Sequence, residues 1–125
     1  MQNNLFGYIK LGRLYKKIAA AINIKTANIF IEYNSLRHIE KGRYFTLEKL
    51  KVNTLVYVQK IINNYTEIRQ GKENRLLLVA YLPESDIKNI AVVELQIIEK
   101  KSIYLVKTAM PRRKFTKKEI ILWQK

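Results

Sequence analysis

Between Arg75 and Met110, three apolar, β-branched segments follow one another with only short polar links between them. They are RLLLVAYL (75–82), IAVVELQIIE (90–99) and SIYLVKTAM (102–110). Pro83, Glu84, Ser85 and Asp86 give the first link turn chemistry. The second link, Lys100 and Lys101, fits only a hairpin, because a parallel crossover needs about a dozen residues. Pro111 lacks a ladder donor and ends the third strand. A strand meander of this kind needs helices or a second sheet to cover it.

The upstream sequence offers helices. In residues 5–22, Leu5, Tyr8, Ile9, Leu11, Leu14, Tyr15, Ile18 and Ile22 recur at helical spacing, with Lys10, Arg13, Lys16 and Lys17 between them. An amphipathic helix is expected there, although Gly7 and Gly12 disfavour it. NIFIEY (28–33) reads as a strand. Asn34 and Ser35 suit an N-cap for a helix that Gly42 can end, and Thr46 can open another, with Leu47 and Leu50 inward. A further helix is expected over 55–65, with Leu55, Val58, Ile61, Ile62 and Tyr65 on one stripe, before a turn at Gln70 and Gly71. Thr116 and Glu119 have capping-box spacing and predict a terminal turn or short helix through Ile120, Ile121 and Trp123. The order gives one α+β domain over 1–125: an N-terminal helix within 1–27, then a core over 28–125. In it, helices pack on one face of a mainly antiparallel four-stranded sheet.

Charge narrows the function. The 125 residues carry 24 Lys and Arg against 10 Asp and Glu, a formal net charge of +14. The surplus concentrates from Lys100 onward, where nine basic residues face only Glu119. So basic a surface points to a polyanionic partner: nucleic acid, an anionic membrane surface or an acidic protein. There is no cysteine, and His38 and Asp86 are the only residues of their kinds. These counts exclude thiolate nucleophiles, cysteine-bound zinc and paired-histidine sites, and they argue against clustered-carboxylate Mg²⁺ sites. No apolar run approaches the ~20 residues of a membrane-spanning helix, so no stable membrane insertion is expected.

A nucleic-acid enzyme without these parts can still cleave RNA, whose own 2′-OH attacks the adjacent phosphate. It needs a base, an acid and fixed positive charge, and no cofactor. His38 is the sharpest candidate for proton transfer, or else an ordinary exposed helical histidine. Arg37, Lys41 and Arg43 surround it and could hold phosphate, or pair with Glu40. Thr108 could bond a phosphate oxygen, or reflect strand propensity alone. Lys107 precedes it, so the two side chains leave opposite faces unless a bulge intervenes. Arg112, Arg113 and Lys114 form the densest basic run, and Lys72 and Arg75 bracket the turn before the meander. Tyr44 is the best base-stacking candidate, whereas Tyr57 and Tyr65 fall on helical core spacing. Glu94 and Glu32 could each act as a base or be paired structural carboxylates.

The segment NIFIEYNSLRHIEKGR, followed by helices, a basic turn and three strands ending in VKTAMPRRK, resembles the Barnase–EndoU–colicin–RelE (BECR) superfamily of metal-independent RNases. More narrowly it resembles the phage-associated branch and the C-terminal RNase toxin domains of bacterial competition systems, over residues 28–125. The resemblance implies an endoribonuclease that cuts tRNA or another cytosolic RNA to a 2′,3′-cyclic phosphate. His38 then matches the family's helical histidine and Thr108 its strand-end threonine. Arg37, Arg43 and the Arg112, Arg113 and Lys114 run match by position. It further implies a monomer when free, an acidic immunity protein as partner, and action in a target cell's cytoplasm. Delivery as the C-terminal part of a larger secreted protein is the implied route. A basic nucleic-acid-binding module without catalysis, or a basic protein with an acidic protein partner, would carry the same charge.

Overall fold

A computed structural model describes residues 7–50, 53–82, 90–112 and 114–125, with no account of the side chains of 43–50. Seven strands and three α-helices are described, in the order β1 (Tyr8–Leu14), α1 (Lys16–Ala21), β2 (Ala27–Glu32), α2 (Tyr33–Leu50), α3 (Thr54–Asn64), β3 (Glu67–Gln70), β4 (Arg75–Tyr81), β5 (Ile90–Ile98), β6 (Ile103–Pro111) and β7 (Ile121–Gln124). The strands form one sheet in the order β1-β2-β6-β5-β4-β3-β7. Only the β2–β6 pair is parallel. The α+β class is as expected, but the sheet is mixed and has seven strands rather than four. None of the described helices is long and apolar enough to cross a membrane.

The meander forms where its alternation placed it. β4 and β5 pair from Arg75↔Gln96 to Tyr81↔Ile90, and a 3-10 turn over Glu99–Lys101 closes the β5–β6 hairpin. Ser102 takes the left-handed conformation there, at φ 52°. The Pro83-Glu84-Ser85-Asp86 turn lies outside the described residues.

The expected helix over 5–22 is instead strand β1 followed by the short helix α1. The reason is a bulge. Pairing with β2 shifts between Lys10 and Gly12, leaving Leu11 unpaired. Leu11 and Leu14 then both reach the core at a spacing of three, which imitates a helical repeat. The extra residue does not leave its carbonyl bare, because Gln59 Nε2 on α3 donates to Leu11 O at 2.8 Å.

Gly42 does not end a helix, nor does Thr46 start one: α2 runs unbroken from Tyr33 to Leu50. A glycine within a helix costs only about 1 kcal/mol, which packing outweighs. Asn53 caps α3 by accepting from the Val56 N–H at 2.8 Å. From α3, Tyr57, Val58, Ile61 and Ile62 are buried, while Leu55 is exposed.

β3 and β7 were not visible in the sequence. Each has four residues, and together they extend the sheet beyond β4. The Thr116–Glu119 capping contact does form, with Thr116 N–H donating to Glu119 Oε1 at 2.8 Å, but the chain continues into β7 rather than a helix.

One face of the sheet packs on the helices. Leu36 and Ile39 of α2 and the buried face of α3 meet Ile29, Ile31, Ile68, Leu78, Val93, Val106 and Ala109 there. The other face, here called outer, carries two smaller apolar clusters. Phe30, Ile103 and Leu105 lie at one end, and Leu77, Val79, Ile90 and Val92 lie under Phe115 at the other.

Candidate functional site

Between the two outer clusters runs a polar row, and a second bulge builds it. Glu94 pairs with Thr108 and Leu95 with Val106, so Lys107 has no partner on β5. Val106 and Ala109 both enter the core, and the two residues between them do not. The bulge therefore sends Lys107 and Thr108 to the same side, against plain alternation.

Glu94 lies directly across from Thr108. On its other flank, Arg75 Nη1 donates to Glu94 Oε1 at 3.0 Å. This is the diagonal position of an antiparallel pair, since Arg75 is opposite Gln96 and Leu77 opposite Glu94. Their side chains keep 31% and 15% of their surface exposed, so both are open to a ligand.

The turn before β4 fixes Arg75. Gly71 N–H donates to Arg75 O at 3.1 Å, and Arg75 N–H to Lys72 O at 2.9 Å. A Cβ on Gly71 would lie 3.0 Å from the Arg75 carbonyl oxygen, so any larger residue would push on the turn that holds Arg75. Lys72, Arg75 and Gln96 line a shallow depression of about 480 Å³ beside Glu94's strand.

The rest of the outer face is a tied strap. Arg112 holds Glu119 through both carboxylate oxygens, at 2.7 and 3.0 Å. The guanidiniums of Arg69 and Arg112 lie 4.0 and 5.0 Å from the Phe115 ring centroid. Arg69 also donates to Glu119 O and to Glu67 Oε1, each at 3.0 Å, and Tyr81 OH donates to Glu67. That hydrogen bond and burial hold the Tyr81 phenol above its usual range. The Arg112 hydrogen bond comes first in drawing Glu119 down to about 2.

The expected site residues therefore divide. The structure brings together Arg75, Lys107 and Thr108, with Lys72 at their edge. Arg112 is not a free cation of a basic run but half of an ion pair with Glu119. Arg113 lies outside the described residues, as do the side chains of Arg43 and Tyr44. Lys114 is exposed beyond the strap.

His38, Arg37 and Lys41 are exposed on α2. That helix is anchored by Leu36 and Ile39 to the face of the sheet opposite Thr108. His38 and Thr108 thus stand on different layers, and the His38 side chain makes no hydrogen bond to another described residue. In the sequence alone, Glu94 is only a mid-strand carboxylate, a base or a paired structural group. Its partnership with Arg75 is set by strand register, across 19 residues of chain.

Compared with known proteins, the chain matches no family model, no curated protein and no solved structure.

Proposed function

We propose that the chain is a metal-independent endoribonuclease acting on the outer face of its sheet. One observation carries the reading: Arg75 bonds Glu94, and strand register sets that carboxylate opposite Thr108 and the bulged Lys107. Glu94 takes the proton of the RNA 2′-OH as that oxygen attacks the adjacent phosphorus. Arg75 stabilises charge on the non-bridging oxygens, and Thr108 OH donates to one of them. The Lys107 ammonium gives its proton to the departing 5′-oxygen. One P–O bond forms and one breaks, leaving a 2′,3′-cyclic phosphate and a 5′-OH, without metal or cofactor.

The net charge of +14 supports an RNA substrate, with tRNA the first to try, and an acidic inhibitor protein as partner. The resemblance to BECR toxins supports action in a target cell's cytoplasm. Its helical-histidine role for His38 is not part of this mechanism. The test is purified protein incubated with total RNA in EDTA, followed by sizing and end analysis. Cyclic-phosphate ends that vanish with Glu94→Gln support the reading. Salt-sensitive RNA binding with no cleavage leaves a binding module in which Glu94 only positions Arg75.

A further inference from the structure

β1 and β7 are the two edges of the sheet, five strands apart, yet they line the same cleft. The sheet curls around α3 until its edges approach without pairing, and the end of α3 forms the floor. At Gly12, β1 lies against the end of α3, where even a Cβ would meet Ile62 Cγ2 at 3.5 Å, in ordinary contact. The gap between the edges has a volume of about 460 Å³, within the ~300–1,000 Å³ of small-molecule sites.

Its lining has a definite chemistry. Tyr15, Tyr65 and Trp123 bring three aromatic rings to one cleft, with Arg13 and Lys125 as cations and Asn63 as an amide. No carboxylate side chain lines it, and neither cation is ion-paired with a described residue. Arg13 donates through Nε to Thr26 Oγ1 at 3.2 Å, a neutral partner that orients the guanidinium without cancelling its charge.

The Tyr65 and Trp123 rings meet at 63° with centroids 5.9 Å apart, edge-on rather than stacked. In such a pair the faces of one ring are not covered by the other. Tyr15 is 67% exposed, an unusual state for a large aromatic with an apolar core nearby. Gln59 Nε2 donates to Asn63 Oδ1 at 3.0 Å, so the NH₂ of Asn63 is the group left to donate. The Tyr65 hydroxyl is buried and has no hydrogen-bond partner.

Rings, unpaired cations and a free amide donor call for a ligand that is flat, anionic and rich in acceptors. An apolar ligand would leave the cations unused, and a sugar phosphate would leave the rings unused. We infer that the cleft between the two edge strands binds a nucleotide. Its base stacks against Trp123 and Tyr15, and its phosphate is held by Arg13 and Lys125. The ligand is either a free mononucleotide or one nucleotide of an RNA strand. This site uses no residue of the outer face and stands or falls apart from the ribonuclease reading.

Trp123 is the chain's only tryptophan, so its fluorescence reports on this cleft alone. The full chain is titrated with adenosine 5′-monophosphate, adenosine, ribose 5-phosphate and a short oligoadenylate. Saturable quenching is expected with the monophosphate, roughly tenfold weaker binding with adenosine, and no quenching with ribose 5-phosphate. Arg13→Ala, Lys125→Ala and Tyr15→Ala, all at exposed positions, should each weaken binding roughly tenfold while the circular dichroism spectrum is unchanged. Glu94→Gln should bind as the parent does. Quenching by the oligonucleotide alone assigns the site to RNA, and quenching by the monophosphate assigns it to free nucleotide as well. No saturable quenching by either, or binding indifferent to all three substitutions, overturns the inference. So does displacement of neither nucleotide by the other while an acidic, aromatic peptide quenches in their place.

Discussion

Arg75 and Glu94 are joined across β4 and β5 by a 3.0 Å hydrogen bond between Nη1 and Oε1, on a face of the sheet that no described helix covers. The pair lies between two apolar clusters and next to Thr108. Its burial is only partial, so the interaction contributes at most ~1 kcal/mol to stability. Its weight in the molecule is chemical more than structural.

Glu94→Gln should therefore lower RNA cleavage by about 10²–10⁴-fold, the range for losing a general base. The thermal midpoint should move by no more than a few degrees, because the amide keeps an acceptor for Arg75. Arg75→Gln should cut cleavage comparably through loss of charge on the phosphate. Initial rates on labelled RNA in EDTA, with a parallel thermal melt, check both. A Glu94→Gln protein of full activity would remove the carboxylate from the mechanism.

His38 gives the opposite expectation. It lies on α2, whose Leu36 and Ile39 bind the other face of the sheet. A proton donor or acceptor must come within hydrogen-bond reach of the reacting oxygen. His38→Ala should leave cleavage within about threefold of the parent, since the distant imidazole cannot transfer the proton directly. If the rate falls as far as it does for Glu94→Gln, the reaction takes place on the α2 surface among Arg37 and Lys41 instead.

Much of the frame could be read from sequence, and the failures share a cause. β4, β5 and β6 follow from alternation and short links, and α3 from its apolar stripe. The bulges at Leu11 and Lys107 escaped, because an inserted residue carries no sequence mark of its own. At Leu11 the bulge disguised a strand as a helix, and at Lys107 it decides whether two candidate residues share a face. β3 and β7 have only four residues each, so β3 exists because β4 offers an edge to pair with, and β7 because β3 does. The Arg75–Glu94 pair depends on register and has no local signature.

Lys107 should act on binding more than on fold. A bulged, half-buried lysine without a described ion-pair partner is available to a phosphate. Lys107→Ala should weaken RNA binding at low salt and reduce the slope of log K against log salt by ~0.7–0.9, the share of one phosphate contact. Filter binding of a non-cleavable, 2′-deoxy-substituted RNA over a salt series measures it. An unchanged slope would mean that Lys107 makes no phosphate contact.

The strap sets a pH dependence whose sign follows from Glu119. Its carboxyl lies near 2 rather than 4.5, first because Arg112 bonds it and then because the Thr116 N–H does. A carboxyl with a depressed folded pKa stabilises only while ionised. Its contribution is complete above about 4.5, falls as the pH drops towards 2, and is gone below that. At neutral pH, Glu119→Gln should cost about 1 kcal/mol, the upper end for a solvent-screened pair, because the contact is bidentate. In thermal melts, the gap between parent and Glu119→Gln should be constant from pH 7 to 5 and close between pH 4.5 and 2. Arg112→Gln should remove most of that pH dependence, because it removes the main cause of the depressed pKa. The strap presses Phe115 onto Leu77, Val79, Ile90 and Val92, so loosening it uncovers apolar surface beside Glu94. Binding of a hydrophobic dye should rise over the same acid range in the parent, and already at neutral pH in Glu119→Gln. A gap between the melts that stays constant down to pH 2 would show that Arg112 and Glu119 do not hold the strap.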